Sequence, residues 1–310
     1  MLNTSSPYAT VELVWLRVVF HDVLNPTAPR PAHASTRGPR ARRLSPGVFL
    51  GLASAALLAF LLVPLAAIFI RAVPSGAVGD ALDDPLVRAA LTLSLISTSV
   101  SLLLAVVLGL PVAYLLARGR FPGRRLLDSL IDLPMVLPPA VAGVGLLMAF
   151  GRRGLFGPFL SQSFGIELPF TTAAVVLAQT FVAAPFFVKA AKAGFESIDR
   201  DLERAASLDA TRWRVFCSIT LPLTYPALLG GAVMTWARAL GEFGATIMFA
   251  GNFQGRTQTM PLAIYQTLEA GHLNSALVLS GLLVIVSFAV LVAFKSLAHL
   301  ASGSDDDMHG

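Results

Sequence analysis

The chain has 310 residues, of which 55% are hydrophobic and only 13% are charged. A soluble domain is about 25% charged, so this composition indicates a membrane protein. The net charge of +5 does not indicate nucleic-acid binding, because the basic residues lie beside apolar segments. Cys217 is the only cysteine, which excludes an intramolecular disulfide and a cysteine-based zinc site.

Residues 1–45 are predicted to be a basic, disordered N-terminal tail. Their second half is rich in Pro, Arg and Ser, and such a composition buries too little apolar surface to fold. The first part, "VELVWLRVVFHDVL", fits either a short amphipathic helix lying on the membrane or a variable tail. The tail lacks the short apolar core and small residues of a cleavable signal peptide. Residues 301–310 are predicted to be an acidic, solvated tail.

Residues 46–300 are predicted to form one all-α transmembrane domain. A helix needs about 20 mostly apolar residues to cross a bilayer. Six segments meet this requirement, and they lie near residues 47–72, 90–117, 127–150, 171–194, 223–250 and 273–297.

Basic residues are concentrated in the N-terminal tail, between the second and third segments, and between the fourth and fifth. They are Arg30, Arg37, Arg40, Arg42, Arg43, Arg118, Arg120, Arg124, Arg125, Lys189, Lys192, Arg200, Arg204, Arg212 and Arg214. The loops on the opposite side carry one basic pair, Arg152 and Arg153. Because basic loops stay on the cytoplasmic side, both termini are predicted to be cytoplasmic.

The segment 196–222 is polar and amphipathic although it lies between two apolar spans. Its first apolar positions recur at helical spacing and predict a short helix. They are Ile198, Leu202, Ala205 and Ala206. Asp209 then interrupts the pattern, which predicts a turn.

A second short helix is predicted after this turn. Thr211 is the expected N-cap, and Trp213, Phe216 and Cys217 are expected to form its apolar side. Pro222 is expected to end it, because proline lacks the N–H group that a helix needs. The segment is therefore predicted to be a rigid helix-turn-helix on the cytoplasmic side.

The sequence "ERAASLDA…ITLP" resembles the EAA loop of ABC importer permeases, which reads Glu-Ala-Ala, three residues, Gly, nine residues, Ile-x-Leu-Pro. The matching residues are Glu203, Ala205, Ile219, Leu221 and Pro222. Arg204 replaces the first Ala and Asp209 replaces the Gly. Asp tolerates the left-handed backbone expected at that turn less well than Gly does.

In that family the EAA loop docks in a cleft of the ATPase subunit and couples its closure to the permease. The resemblance therefore implies that residues 196–222, here named the coupling segment, bind an ATPase. The residues that it assigns to coupling are Glu203, Arg204, Ala205, Asp209, Leu221 and Pro222.

Two further stretches resemble molybdate permeases of the ModB type, whose relatives transport sulfate and tungstate. Residues 238–265, "RALGEFGATIMFAGNFQGRTQTMPLAIY", are similar to the fifth span and its following loop. Residues 132–158, "DLPMVLPPAVAGVGLLMAFGRRGLFGP", are similar to the third span and its outer loop. The resemblance covers roughly residues 50–297 and implies a molybdate importer, with sulfate or tungstate as alternatives.

The resemblance also implies partners: two copies of an ABC ATPase subunit and an extracytoplasmic oxyanion-binding protein. The chain contains no Gly-Lys dipeptide and hence no Walker A motif, so ATP hydrolysis is expected on another polypeptide and this chain is not an enzyme. Six spans are too few to enclose a pathway, which predicts a two-fold homodimer in the bacterial cytoplasmic (inner) membrane. No cofactor is expected, and the five His residues do not cluster as metal ligands.

Arg238 and Glu242 lie one helical turn apart inside the predicted fifth span. A charge at the bilayer centre costs about 2.5–3.5 kcal/mol on insertion scales, so neither is expected to face lipid. Either Arg238 lies beside the anion pathway and Glu242 moderates its field, or the two form an intrahelical ion pair. The second reading is favoured, because Gly241 and its small neighbours offer a close-packing face.

Pro138 and Pro139 interrupt the predicted third span, together with Pro134. Such breaks are tolerated in a membrane only where protein or water satisfies the freed carbonyl groups. Both a kinked gate helix along the pathway and a static packing kink fit this pattern. Asp128 and Asp132 lie at the cytoplasmic end of the same span, near Arg124 and Arg125, and are interpreted as interface salt bridges in preference to proton carriers.

Two other functional classes remain open from the sequence. A stand-alone secondary transporter or channel would carry internal repeats with paired broken helices, and only the third span has a clear proline break. A membrane scaffold without transport activity is the remaining alternative.

Overall fold

The structure, a computed structural model, describes residues 46–72, 83–208 and 210–303. The predictions for residues 1–45, for Asp209 and for nearly all of the acidic tail lie outside these ranges. Within them every regular element is a helix and no strand occurs, which confirms the predicted all-α class.

The helices follow one another closely along the chain. They are α1 (Pro46–Ala72), α2 (Pro85–Arg118), α3 (Arg124–Val136), α4 (Pro139–Phe150), α5 (Gly157–Phe164), α6 (Thr172–Ser197), α7 (Arg200–Ala206), α8 (Arg212–Val215), a π-helical turn (Phe216–Thr220), α9 (Leu221–Leu240), α10 (Gly244–Phe249), α11 (Met260–Glu269) and α12 (Leu273–Gly303).

The chain divides inside α1 into two compact units, Met1–Leu58 and Ala59–Gly310. The described part of the first unit is the beginning of α1, and its side chains from Leu50 onward are exposed. The second unit contains the rest of α1 and all the other helices, including the candidate site.

Five helical segments among the described residues are long and apolar enough to cross a bilayer. They are Leu50–Arg71, Pro85–Arg118, Thr172–Ser197, Arg212–Leu240 and Leu273–Phe294. A sixth span results when the bent pair α3 and α4 is counted as one. The prediction of about six spans is therefore confirmed.

The third span, predicted near residues 127–150, has the predicted proline break: α3 and α4 meet at an angle of 116°. The residue before a proline is forced out of helical geometry. Leu137 and Pro138 both precede a proline, and both are extended, with ψ angles of 134° and 133°. Pro139 then occupies the first turn of α4, where its missing N–H group is not needed.

The fifth span differs from the prediction, because α9 ends at Leu240 and not near residue 250. Gly241, a poor helix former, follows it with non-helical geometry. The side chain of Glu242 then accepts a hydrogen bond from the backbone N–H of Ala245 (2.8 Å), which starts α10. Where the span is interrupted, a hydrogen bond to the Glu242 side chain thus takes the place of a hydrogen bond between backbone groups.

Helix α6 is the centre of the bundle, because it packs along α2 on one side and α9 on the other. Many of its buried residues are small: Ala174, Ala178, Ala183, Ala191 and Gly194. Lipid tails are as apolar as leucine, so helices associate in membranes through close packing. Small residues allow the backbones to approach and maximise that packing.

A fully buried polar network also joins α2 to α6. Ser101 Oγ donates a hydrogen bond to Gln179 Oε1 at 3.2 Å, and Gln179 Nε2 lies 3.5 Å from Thr98 Oγ1. A buried polar group without a hydrogen-bond partner is costly, and these three side chains supply partners to one another. The network therefore fixes the register of α2 against α6.

We expect Gly231→Ala to destabilise the contact between α9 and α6, because the added Cβ would lie 2.7 Å from Ala190 Cβ. The expected loss is about 1–3 kcal/mol, the usual effect of overpacking. A lower thermal midpoint of the purified protein in detergent would report it. Gly230→Ala is the matched control, because its Cβ would meet nothing within 4 Å. An equal loss in both variants would contradict this account of the packing.

Candidate functional site

The coupling segment begins with α7, which starts after Asp199. Asp199 Oδ1 accepts a hydrogen bond from the Asp201 N–H at 2.9 Å. Thr211 Oγ1 accepts one from the Arg214 N–H at 3.4 Å, which confirms the predicted N-cap of the second helix. Asp209, the predicted turn residue, lies outside the described residues.

Pro222 does not end this second helix, so that prediction is wrong. The chain is helical without a break from Arg212 to Leu240, and Pro222 lies in the first turn of α9. Just before it, the π-helical turn directs the Leu221 N–H to the carbonyl of Phe216, five residues back. Because α9 begins at that point, the missing N–H group of Pro222 breaks no hydrogen bond. The coupling segment is thus continuous with the fifth span.

Only some of the apolar side chains of the coupling segment are buried in the permease. Ile198 and Val215 are buried. By contrast, the side chains of Leu202, Leu208 and Trp213 are 55%, 84% and 73% exposed. These three residues, here named the exposed apolar surface, are large apolar side chains that the coupling segment leaves exposed.

The other predicted coupling residues lie on the same segment. Arg204 and Ala205 are exposed, and Arg204 Nη1 pairs with Asp201 Oδ1 at 2.7 Å. Pro222 is exposed, whereas Leu221 is partly buried. An ion pair between exposed side chains contributes little stability, so Arg204 remains available for another contact.

Glu203 differs from its neighbours, because it points into the protein. Its Oε1 lies 3.0 Å from Nη2 of Arg118, the last residue of α2, and the two side chains are only 16% and 11% exposed. The same oxygen accepts a hydrogen bond from Thr220 Oγ1 at 2.8 Å. The carboxylate therefore joins α7, the end of α2 and the π-helical turn.

An aromatic cluster lies on the same elements. The ring of Tyr114 in α2 contacts the rings of Phe195 in α6 and Phe216 in the π-helical turn edge-on, with centroids 5.4 and 5.1 Å apart. Trp213 stacks on Phe216 at 5.7 Å. Such pairs add about 0.5–1.5 kcal/mol each beyond the burial of their area.

Arg238 and Glu242 form the predicted ion pair, with Arg238 Nη1 and Glu242 Oε2 2.7 Å apart. The pair is not within one helix, because α9 ends at Leu240 and Gly241 is its C-cap. Glu242 is 1% exposed, and its other oxygen caps α10 through the Ala245 N–H. Both oxygens therefore hold the break in the fifth span together.

The breaks in the third and fifth spans meet where α4 packs on α10. A Cβ on Gly244 would lie 2.6 Å from Cβ of Pro139. A Cβ on Gly143 would lie 2.7 Å from the carbonyl oxygen of Ala245. Pro138 is the N-cap of α4, and its carbonyl accepts a bond from the Ala142 N–H. The structure thus brings the predicted prolines to the segment that Glu242 caps.

The salt bridges predicted for Asp128 and Asp132 are present, but their partners are lysines and not the arginines nearby in the sequence. Asp128 pairs with Lys192 (2.7 Å) and with Lys189 (3.2 Å), and Asp132 pairs with Lys189 (2.7 Å). Both lysines lie on α6 and reach across to α3. Arg124 instead pairs with Glu196 at 3.0 Å.

A cavity of about 510 Å³ lies at the other end of α2 and is rich in amide groups. The residues lining it include Leu86, Val87, Gln254, Gln258, Gln266 and Asn274. Among the residues that the structure describes, no cluster of His, Cys, Asp and Glu is arranged to hold a metal ion.

No pattern in the sequence indicates the roles of Arg118 and Thr220. Arg118 was interpreted only as one of the basic residues that orient the protein in the membrane. Its contact with Glu203 joins helices far apart in the chain, and no local spacing predicts such a contact. Thr220 lies inside the EAA-like motif at a position that the motif leaves unspecified.

Residues 105–299 match the family model of the binding-protein-dependent transport system inner membrane component. The molybdenum transport system permease protein ModB of Escherichia coli (strain K12) is 47% identical over 189 residues, which cover 61% of this chain and 82% of that protein. The sulfate transport system permease protein CysT of the same strain is 35% identical over 261 residues, which cover 83% of this chain and 94% of that protein.

Among solved structures, a chain of a bacterial alginate ABC transporter, in complex with an alginate pentasaccharide-bound periplasmic protein, has the same fold. The TM-score is 0.65 at 15% identity, with 81% of this chain and 94% of that chain covered. The chain therefore belongs to the family of binding-protein-dependent transport system inner membrane components, as a multi-pass permease of the ModB type.

Proposed function

We propose that this chain is the permease subunit of an ABC importer that carries molybdate across the inner membrane. The observation that carries the proposal is the identity of 47% with a molybdenum permease over 82% of that protein's length. The sulfate permease relative is only 35% identical, so sulfate is the weaker alternative. Molybdate and sulfate are both tetrahedral dianions, and the protein that delivers the anion makes most of the choice between them.

Two ATPase subunits would bind the coupling segments of a permease homodimer. The exposed apolar surface of Leu202, Leu208 and Trp213 supports this proposal, because exposed apolar side chains mark interaction sites and tryptophan is enriched at binding hot spots. Closure of the ATPases on ATP would displace both coupling segments. The unbroken helix from Arg212 to Leu240 would carry that displacement directly into the fifth span.

The arrangement in the membrane follows from the basic residues. With Arg118, Arg124 and the coupling segment on the cytoplasmic side, both termini are cytoplasmic. The opposite face would then receive an extracytoplasmic binding protein that delivers the anion. The dimer would alternate between inward-open and outward-open states, each favoured by a different ligand.

Arg238 and Glu242 most directly support helix packing and not anion binding. Glu242 pairs with the guanidinium of Arg238, so it offsets the positive charge that Arg238 would otherwise present to a passing dianion. The two residues are proposed to keep the break in the fifth span rigid beside α4 while the dimer changes state.

The function is tested in vesicles that contain the chain with the ATPase and binding protein of the same genome. We expect uptake of labelled molybdate only when ATP and the binding protein are both present. Tungstate should compete, and excess sulfate should not. A preference for sulfate would replace the substrate but keep the permease, whereas uptake driven by an ion gradient without the ATPase would overturn the importer.

Leu208→Ala is expected to weaken binding of the ATPase subunit, because Leu208 is 84% exposed on the coupling segment. Loss of an interface hot spot of about 2 kcal/mol corresponds to roughly thirtyfold weaker binding. The amount of ATPase that copurifies with the permease measures it. Leu155→Ala is the matched control, because Leu155 is 83% exposed outside the coupling segment. Equal copurification in both variants would argue against this docking surface.

Glu242→Ala is expected to lower stability by about 3–5 kcal/mol, because it leaves the Arg238 charge without its buried partner. The double variant Arg238→Gln/Glu242→Gln should recover much of this loss, because no unpaired charge remains. Thermal midpoints and the KM for molybdate uptake are measured together. A normal midpoint with a raised KM would instead assign the pair to the anion pathway.

A further inference from the structure

Helix α2 is not adjacent in sequence to the coupling segment, yet its end is fastened to it at several points. Arg118 Nη2 contacts Glu203 Oε1 at 3.0 Å and donates a hydrogen bond to the carbonyl of Ile198 at 3.2 Å. In return, Arg200 Nη2 donates to the carbonyl of Ala117 at 3.2 Å. The last carbonyls of a helix lack partners inside it, so a guanidinium from the coupling segment completes the end of α2.

The carboxylate of Glu203 also binds the π-helical turn, through Thr220. Thr220, which is 1% exposed, donates its hydroxyl to the same Oε1 that Arg118 contacts. One oxygen atom therefore links the end of α2 to the π-helical turn that opens the fifth span. Charge-assisted hydrogen bonds of this kind are about twice as strong as neutral ones, and low exposure limits their screening by water.

At its other end, α2 reaches the far side of the bundle. The helix has 34 residues, a length of about 50 Å at the rise of an α-helix. The buried Ser94 Oγ accepts a hydrogen bond from the Met260 N–H at 2.8 Å, which attaches α11 to α2. Leu86 and Val87 of its first turn help to line the 510 Å³ cavity with residues of α11 and α12.

We propose that Arg118 is a positioning residue for energy coupling: through Glu203 it fastens the coupling segment to α2, which transmits the displacement to the opposite face of the membrane. The inference rests on the proposed importer function and adds a second route besides the fifth span. Glu203 acts in this route through Arg118 and Thr220, inside the permease, and not by contacting the ATPase.

The inference is tested on the complete complex in vesicles with Arg118→Gln, Glu203→Gln and the double variant. Molybdate uptake and ATP hydrolysis are measured in the same sample. We expect ATPase copurification to be unchanged and the molybdate taken up per ATP to fall at least about fivefold, the lower end of usual couplings between sites. The double variant should be no worse than either single variant, because residues that act as one pair are not additive.

The control is the ion pair of Arg152 and Glu167, whose atoms lie 2.6 Å apart outside the coupling segment. Arg152→Gln and Glu167→Gln should leave the uptake per ATP unchanged. A purely structural role of Arg118 would lower the thermal midpoint and leave the uptake per ATP intact, which would overturn the inference. Loss of ATPase copurification in Glu203→Gln but not in Arg118→Gln would also overturn it, because Glu203 would then bind the ATPase directly.

A second measurement does not depend on the transported anion. Spin labels at position 86 of both protomers, in a Cys217→Ser background, report the distance between the first turns of α2. We expect ATP with vanadate to change this distance in the otherwise unaltered complex, and Arg118→Gln to abolish the change. An unchanged response in Arg118→Gln would refute transmission through α2, whereas failure of the molybdate assay in the unaltered complex would refute only the proposed substrate.

Discussion

Main-chain polar groups must be paired inside the protein wherever the chain crosses hydrocarbon, and this constraint decides where the spans are interrupted. The third span breaks at Leu137 and Pro138, and the fifth breaks after Leu240. Both breaks lie at the contact between α4 and α10. There Gly244 of α10 approaches Pro139 of α4, and Gly143 of α4 approaches the carbonyl group of Ala245 in α10. Each break is therefore covered by the other, and neither would be stable alone.

The charged and polar side chains of the bundle serve the same constraint. Two ion pairs join different elements: Lys192 and Asp128 join α6 to α3, and the pair of Arg238 and Glu242 joins the end of α9 to the start of α10. Gln179 joins α6 to α2 through hydroxyl groups. In a low-dielectric interior these contacts are strong and leaving one partner unpaired is costly, so they fix which helices move together. Motion is then expected between such connected groups of helices and not within them.

The sequence predicted what local chemistry determines. Apolar length identified the spans, Thr211 was identified as a cap, and the spacing of Arg238 and Glu242 gave their pairing. Prediction from the sequence failed where the structure depends on hydrogen bonds or contacts that local spacing does not reveal. A proline inside a helical pattern indicates a stop, and only the hydrogen-bond register of the π-helical turn shows that Pro222 begins a helix instead.

Ion-pair partners on different helices could not be predicted from the sequence for the same reason. Asp128 lies near arginines in sequence, but lysines on α6 are closer in space. Apolar residues at helical spacing, such as Leu202, predict an apolar helix face, and that spacing suits both a buried face and a surface that another protein covers. Periodicity reports that a face is apolar, and it does not report what the face touches.

The π-helical turn has one consequence for the geometry of the coupling segment. A turn with one additional residue offsets the helix faces on its two sides by about 100°, the angle that one residue occupies. The π-helical turn at residues 216–220 therefore sets the direction of the Trp213 side chain relative to the face of α9 that packs on α6. Deletion of a single residue in this turn would leave the helix continuous, but it would rotate the side chain of Trp213 about the helix axis by about 100°.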